Sequence, residues 1–184
     1  CMFITEGILD ALDHSSPETL VGGKLGIDVT AAHKVEAPKH MYDDELLIEV
    51  QEFVPDVVGL HQYMTRTKNP ITVVSVNKTV SAKEYFDLLT PLHEYMRIIV
   101  FVDVQKNDLE NPYMLVWRVT NNIDAQRDIY VDGLMVGIDG TNKNQLDGFV
   151  REWPDDVDCT QNVVDSLKQR GIWDFEDKLY DKFQ

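Results

Sequence analysis

Basic residues are scarce in this chain. Of 184 residues only 17 are Lys or Arg, against 32 Asp or Glu, a formal net charge of −15. Binding a phosphate backbone needs clustered cations, so nucleic acid is excluded as a partner, and an anionic membrane surface would repel the chain. Cysteine is scarcer still. Cys1 and Cys159 fit no C-x-x-C spacing, which argues against both a disulfide framework and a zinc site. No apolar run approaches the ~20 residues that span a bilayer. The longest uncharged strand-like stretch, Ile98 to Val102, is of strand length. There is no signal-peptide pattern either, and the reading is a cytoplasmic chain without membrane insertion.

The common nucleotide fingerprints, G-x-G-x-x-G and G-x-x-x-x-G-K-[ST], are missing as well. "DGTNKNQLDGFV", from Asp139, invites a calcium-loop reading. That loop needs Gly at its sixth position and Glu at its twelfth, where this chain has Asn144 and Val150.

What is present is globular. A hydrophobic content of 43% with three Trp separates the chain from disordered sequences, and this length can bury roughly 70% of the unfolded surface. Strands are expected at Met2–Thr5, Ile71–Val76, Arg97–Asp103 and Asp128–Val131. Helices alternate with them. Asp43 to Phe53 places Leu46, Leu47, Val50 and Phe53 on one face. Ser81 to Met96 opens with a capping box, Ser81 to Glu84, and presents Tyr85, Leu88, Leu89, Leu92 and Met96 as its stripe. Pro91 should kink or split that helix. Asn111-Pro112 opens another helix, running through Trp117. Thr160 to Arg170 is a helix stopped by Gly171, and a short final helix spans Trp173 to Phe183. The alternation predicts an α/β fold, a layered sheet with flanking helices. Gly59 to Pro70 is polar and helix-poor, and serves as the candidate boundary between two halves.

Few residues suggest chemistry. His14 lies beside Asp13 and Ser15, but sequence neighbours rarely face one another as a triad does, and Pro17 favours a turn. His33 and His40 are separated by Pro38, which breaks any shared helical face, and His61 and His93 stand alone. Lys83 sits in the first turn of its helix, where free N–H groups and the helix dipole favour an anion; otherwise it is an exposed lysine on a helix. One phrase occurs twice, Gly26-Ile27-Asp28-Val29-Thr30 and Gly137-Ile138-Asp139-Gly140-Thr141. Physically it is a corner: Gly lets chains approach, Ile anchors in the core, and Asp caps the N–H two residues on.

"LDHSSPETLVGGKLGIDVTAAHK" resembles the C-terminal signature of UbiD-type decarboxylases, L-D-x-x-S-P followed by G-[SG]-K-x-G-[IL]-D-A-T-x-K. Arg97 to Asp103 resembles the family's acid-ended strand. Trp117, Thr120 and Asp124 to Asp128 are similar to its W-A-x-x-T-R-x-x-P-x-R-D stretch, and Arg151-Glu152-Trp153 to its R-E-W. Asn121 replaces the family's arginine and Ala125 its proline, and the acids after the strand are diluted to "DVQKND".

The family order puts the acid-ended strand before the corner. Here a corner comes first, so the resemblance implies a duplicated α/β unit, with "MFITEG" corresponding to Ile129–Gly133. Residues 1–58 are read as the remainder of a first unit, 71–171 as a second unit and 172–184 as a helical tail. The opening on Cys1, running at once into a strand, fits a piece of a longer protein, of the menaquinone-biosynthesis branch. The resemblance further implies prenylated FMN and a divalent metal in the full-length protein, bound mainly upstream by its flavin-binding domain. In this fragment it implies neither cofactor nor metal ligand nor catalytic residue. Lys83 is the position matching a lysine that in some relatives reaches the cofactor phosphate. The leading expectation is therefore the C-terminal assembly region of a non-oxidative aromatic acid decarboxylase in quinone biosynthesis, inactive alone and homo-oligomeric through Trp173, Phe175, Tyr180 and Phe183. The alternative is a stand-alone acidic α/β protein-interaction domain without catalysis.

Overall fold

A computed structural model describes residues 2–8, 14–16, 21–26, 36–156 and 159–173. In chain order the elements are β1 (Met2–Ile8), β2 (Val21–Gly26), α1 (Asp43–Phe53), β3 (Val57–Tyr63), β4 (Ile71–Val76), α2 (Ala82–Leu89), β5 (Ile98–Asp103), α3 (Pro112–Asn122), β6 (Ile129–Asp132), β7 (Met135–Asp139) and α4 (Gln161–Gln169). β1 and β2 form an antiparallel pair of their own. The other five strands make one sheet in the order β3-β4-β5-β7-β6. Its three central strands are parallel, and both outer strands run antiparallel to their neighbours.

Burial on both faces explains the uninterrupted apolar runs of the central strands. Val74, Val76, Ile99 and Phe101 point to one face, where Leu46 and Val50 of α1 and Tyr85, Phe86 and Leu89 of α2 cover them. Val73, Val100 and Val102 point to the other, under Leu115 and Val119 of α3. The result is a three-layer α/β fold. Among the described residues no helix is long and apolar enough to cross a membrane.

Helix ends follow local chemistry. Ser81 Oγ accepts from Glu84 N at 3.3 Å, as a cap does. The Glu84 carboxylate, however, receives the Ser81 hydroxyl at 3.0 Å rather than a backbone N–H. α2 stops at Leu89, and Thr90–Leu92 tightens into a 3₁₀ turn containing Pro91. Gly171 stands at φ +65°, just past α4. α3 starts at Pro112 as expected but continues to Asn122.

Several expectations are corrected. Leu88 is 49% exposed, and Phe86 takes the core position instead; Phe53 is 37% exposed. β2, β3 and β7 were not foreseen as strands. β3 occupies part of the stretch read as a boundary, so the sheet and its core run across Gly59 to Tyr63. The outer edge of β3 is met by α1 side chains: Gln51 Nε2 donates to Val57 O at 2.8 Å, and Asp43 Oδ2 accepts from Gln62 N at 3.4 Å. Of the final helix expected from Trp173 to Phe183, only Trp173 lies within the described residues.

Candidate functional site

The carboxyl ends of β4, β5 and β7 lie side by side, the edge of a parallel sheet where open α/β folds place their ligands. Charged residues gather there. Asp139 closes β7, and its Oδ1 accepts from Thr141 N at 2.9 Å and Thr141 Oγ1 at 2.5 Å, the capping expected of the repeated phrase. The two glycines of that phrase make room on opposite faces. A Cβ on Gly137 would stand 2.5 Å from Phe86 Cδ2, and one on Gly140 would stand 2.7 Å from Val119 Cγ2. The phrase is therefore the place where α2 and α3 close onto the sheet.

Two lysines lock this corner. Lys143 is 2% exposed; its Nζ donates to the carbonyls of Asp139 at 2.8 Å and Thr141 at 2.6 Å. Asp139 Oδ1 and Asp128 Oδ2 stand 3.3 and 3.8 Å from the same nitrogen. Burial pushes the Lys143 ammonium below its ordinary pKa, and the two carboxylates resist that shift. Lys78, just past β4, donates to Thr141 Oγ1 at 2.7 Å and to Asp147 Oδ2 at 2.6 Å. Asp103, closing β5, accepts from Asn142 N at 2.8 Å, while burial raises its pKa. Arg127 grips the buried Asp128 through Nε and Nη2, each at 2.7 Å, and stacks 5.3 Å from the Phe149 ring. Burial raises Asp128 too, against the pull of Arg127 and Lys143.

Beside this cluster opens a cleft of about 550 Å³ between the start of α2, the strand β6 and the 3₁₀ turn Gln145–Asp147. Ser81, Lys83, Arg127, Tyr130 and Asp139 are among its lining residues. Lys83 reaches its rim: the side chain is 52% exposed, pairs with Asp87 at 2.5 Å, and lies 6.0 Å from the Tyr130 ring centroid. Burial, reinforced by Asp139, Asp128 and Asp147, holds the Tyr130 phenol far above its ordinary pKa.

The remaining sequence candidates fall elsewhere. His14 to Ser16 dock onto Ile123 and the stretch Arg151–Trp153. The His14 ring meets Trp153 edge-on at 5.1 Å, Arg151 Nη2 donates to His14 O at 3.0 Å and also to Ser16 O, and Ser15 Oγ donates to Ile123 O at 3.3 Å. The L-D-x-x-S-P and R-E-W blocks, remote in sequence, are thus in contact. His61 pairs with Asp43 on the outer edge of the sheet at 2.9 Å, and His33 lies outside the described residues. Among the described residues no three His, Cys, Asp or Glu side chains are grouped to hold a metal ion. The arrangement pairs a buried ionic corner with a cleft that has the half-exposed Lys83 ammonium at its rim. The contact of the Thr141 hydroxyl with the Asp139 carboxylate is buried as a cap, so what the arrangement leaves open to a ligand is the cleft and the Lys83 ammonium. The sequence analysis assigns no role to Lys78, Arg127 or Lys143: Lys78 bonds to residues more than sixty positions on, and the burial of Arg127 and Lys143 depends on how their neighbours fold over them.

Residues 41–153 match the family described as the 3-octaprenyl-4-hydroxybenzoate carboxy-lyase C-terminal domain. An uncharacterized protein of Helicobacter pylori strain J99 is 44% identical over 181 residues, covering 98% of this chain and 29% of its own length. An uncharacterized protein of Archaeoglobus fulgidus is 27% identical over 137 residues, covering 61% of this chain and 28% of its own. This chain thus spans less than a third of the length of these relatives. Among solved structures, an evolved dimeric form of the UbiD-class enzyme HmfF from Pelotomaculum thermopropionicum, in complex with prFMN, aligns with TM-score 0.49 at 23% identity, over 61% of this chain and 26% of that one. Vanillic acid decarboxylase from Sedimentibacter hydroxybenzoicus aligns with TM-score 0.49 at 19% identity, over 69% of this chain and 31% of that one. With the match covering most of the sheet and its ionic corner, this chain belongs to the UbiD C-terminal domain family.

Proposed function

We propose that the full-length protein is a non-oxidative aromatic acid decarboxylase of the UbiD class, serving quinone biosynthesis in the menaquinone branch, and that this chain is its assembly region. The observation that carries the reading is the family match over residues 41–153, to the C-terminal domain of 3-octaprenyl-4-hydroxybenzoate carboxy-lyase. The duplicated α/β unit, the oligomer built on the C-terminal aromatics and the cytoplasmic location belong to the same reading.

The cofactor of such an enzyme, prenylated FMN, supplies when bound the electron sink for loss of carbon dioxide. The cleft fits one part of it. Lys83 Nζ bonds to Asp87, an exposed i,i+4 pair of the kind that contributes about 0.3–0.5 kcal/mol and yields readily to a phosphate. The first-turn N–H groups of α2 lie beside it and favour an anion. Asp128, Asp139 and Asp147 disfavour the rest of a polyanion deeper in, which keeps the assignment to Lys83 and a terminal phosphate at the rim. The isoalloxazine, the metal ligands and the acid–base groups are assigned to the upstream flavin-binding domain.

The test is release of carbon dioxide by the full-length protein, loaded with prenylated FMN, from a panel of hydroxybenzoate-like and naphthoate-like acids. Turnover of at least one of them, and none by the 184-residue chain given the same cofactor, is expected. Cofactor-loaded protein that leaves every acid of the panel intact overturns the reading. Removal of residues after Gly171 should change the elution volume in size-exclusion chromatography; an unchanged oligomer removes the aromatic tail from the assembly contact.

A further inference from the structure

Two buried polar atoms in the cleft beside the ionic corner are left unanswered by the protein. Asp139 is 1% exposed; its Oδ1 takes the backbone and hydroxyl of Thr141, but its Oδ2 has no hydrogen-bond partner among the described residues. Lys78 Nζ stands 3.9 Å from that oxygen, beyond hydrogen-bonding distance. Arg127 uses Nε and Nη2 on Asp128, and its buried Nη1 has no hydrogen-bond partner either. Both residues line the cleft. The first atom is an acceptor without a donor, the second a donor without an acceptor. Buried polar groups are nearly always paired, so two such atoms in one cleft mark a place where something else bonds.

A charged group fits this floor poorly. Asp128 and Asp147 line the cleft with Asp139 and repel a second anion. Arg127, Lys78 and Lys143 already pair with those carboxylates and leave a new cation little to gain. A hydroxyl suits either unanswered atom, since it donates one hydrogen and accepts at its lone pairs. The cleft, about 550 Å³, is of small-molecule size and far larger than a phosphate. Its walls combine the polar Ser81 and Gln126 with the Tyr130 ring and Leu146, surfaces that suit a run of carbons each bearing a hydroxyl. Resting on the assignment of Lys83 to a phosphate, we propose that the cleft binds a polyol monophosphate, its phosphate on Lys83 at the rim and its hydroxyls on Asp139 Oδ2 and Arg127 Nη1 at the floor. The polyol chain of a flavin mononucleotide and a free sugar-alcohol phosphate share this chemistry.

Phosphorus NMR titration of the full-length protein, prepared without flavin, tests this with inorganic phosphate and ribitol 5-phosphate as probes. Ribitol 5-phosphate is expected to bind at least about tenfold more tightly, the contribution of one hydrogen bond to a charged group. Arg127→Lys keeps a cation on Asp128 but withdraws Nη1, and should erase that preference while phosphate binding stays as it was. Leu146→Trp, at a half-exposed wall residue, narrows the cleft without touching the corner. It should have the same effect, so the test survives a first variant that fails to fold. Equal affinity for the two probes in the parent overturns the inference. A preference that neither variant reduces overturns it too, because the ligand then sits elsewhere. Lys83→Ala separates the two claims: weaker phosphate binding keeps the rim assignment even where the inference fails, and unchanged binding of both probes overturns both. Repeating the titration on protein loaded with prenylated FMN identifies the source. Exclusion of ribitol 5-phosphate means that the cofactor's own polyol chain fills the cleft, and retained binding means a separate polyol phosphate.

Discussion

Lys143 and Lys83 each face Asp partners, yet they sit in opposite surroundings. The Lys143 ammonium has no exposure, two carbonyl acceptors and two nearby carboxylates; the Lys83 ammonium is half in water and held by one carboxylate on its own helix. In the first place the charge is fixed by structure and serves the joining of β7 to its loops. In the second the charge is held by one exposed pair, which is what the proposed phosphate contact requires. A lysine is informative about function according to how little the fold asks of it.

That contrast breaks if both truncations behave alike. K143A should destabilise the protein by about 3–5 kcal/mol, because it removes a buried cation from beside Asp139 and Asp128 and leaves the Asp139 and Thr141 carbonyls without its donor. Urea unfolding measures it, and a loss under 1 kcal/mol would sink the account of the corner. Next in size, G137A forces a Cβ against the Phe86 ring, and overpacking of this kind costs roughly 1–3 kcal/mol. A melting temperature equal to that of the parent would show that α2 does not close on the glycine.

Alkali sharpens the comparison from another side. Tyr130 is raised in the folded chain, so the unfolded chain ionises first, near pH 10, and binds fewer protons than the folded one above that pH. Its contribution to stability is therefore full below pH 10 and is lost as pH rises further. The stability of the parent should fall relative to that of Y130F as pH rises from 9 to about 11, and a constant offset between the two curves contradicts the shift. The smallest stability effect belongs to K83A, within about 0.5 kcal/mol as for any exposed position. In the full-length protein the same change should weaken the binding of prenylated FMN about tenfold, the loss of one charge-assisted bond to phosphate. Unchanged affinity measured by calorimetry would leave Lys83 as a surface lysine.

Much of the fold could be read directly. β4 and α1 lie at the expected bounds, since a β-branched run and a three-to-four spacing each point one way. The Ser81 cap, the break near Pro91 and the stop at Gly171 are local events with local causes. β3 escaped because an edge strand tolerates Gly59, His61 and Gln62, so its composition looks like loop. β7 escaped because Gly137 reads as a corner, when in fact it is a strand residue thinned to admit Phe86. Of the site, the Asp139–Thr141 link was legible from spacing. The burial of Lys143 was not, because charge predicts exposure until Asp128, just before β6, and Trp153 close over it.

The outer edge of the sheet carries a last consequence. Asp43 and Gln51 reach from α1 to backbone groups near the two ends of β3, so a foreign strand would have to displace both before it could add there. At high concentration this fold is thus guarded against growing into sheet aggregates through β3, by two polar side chains of a helix whose apolar face builds the core.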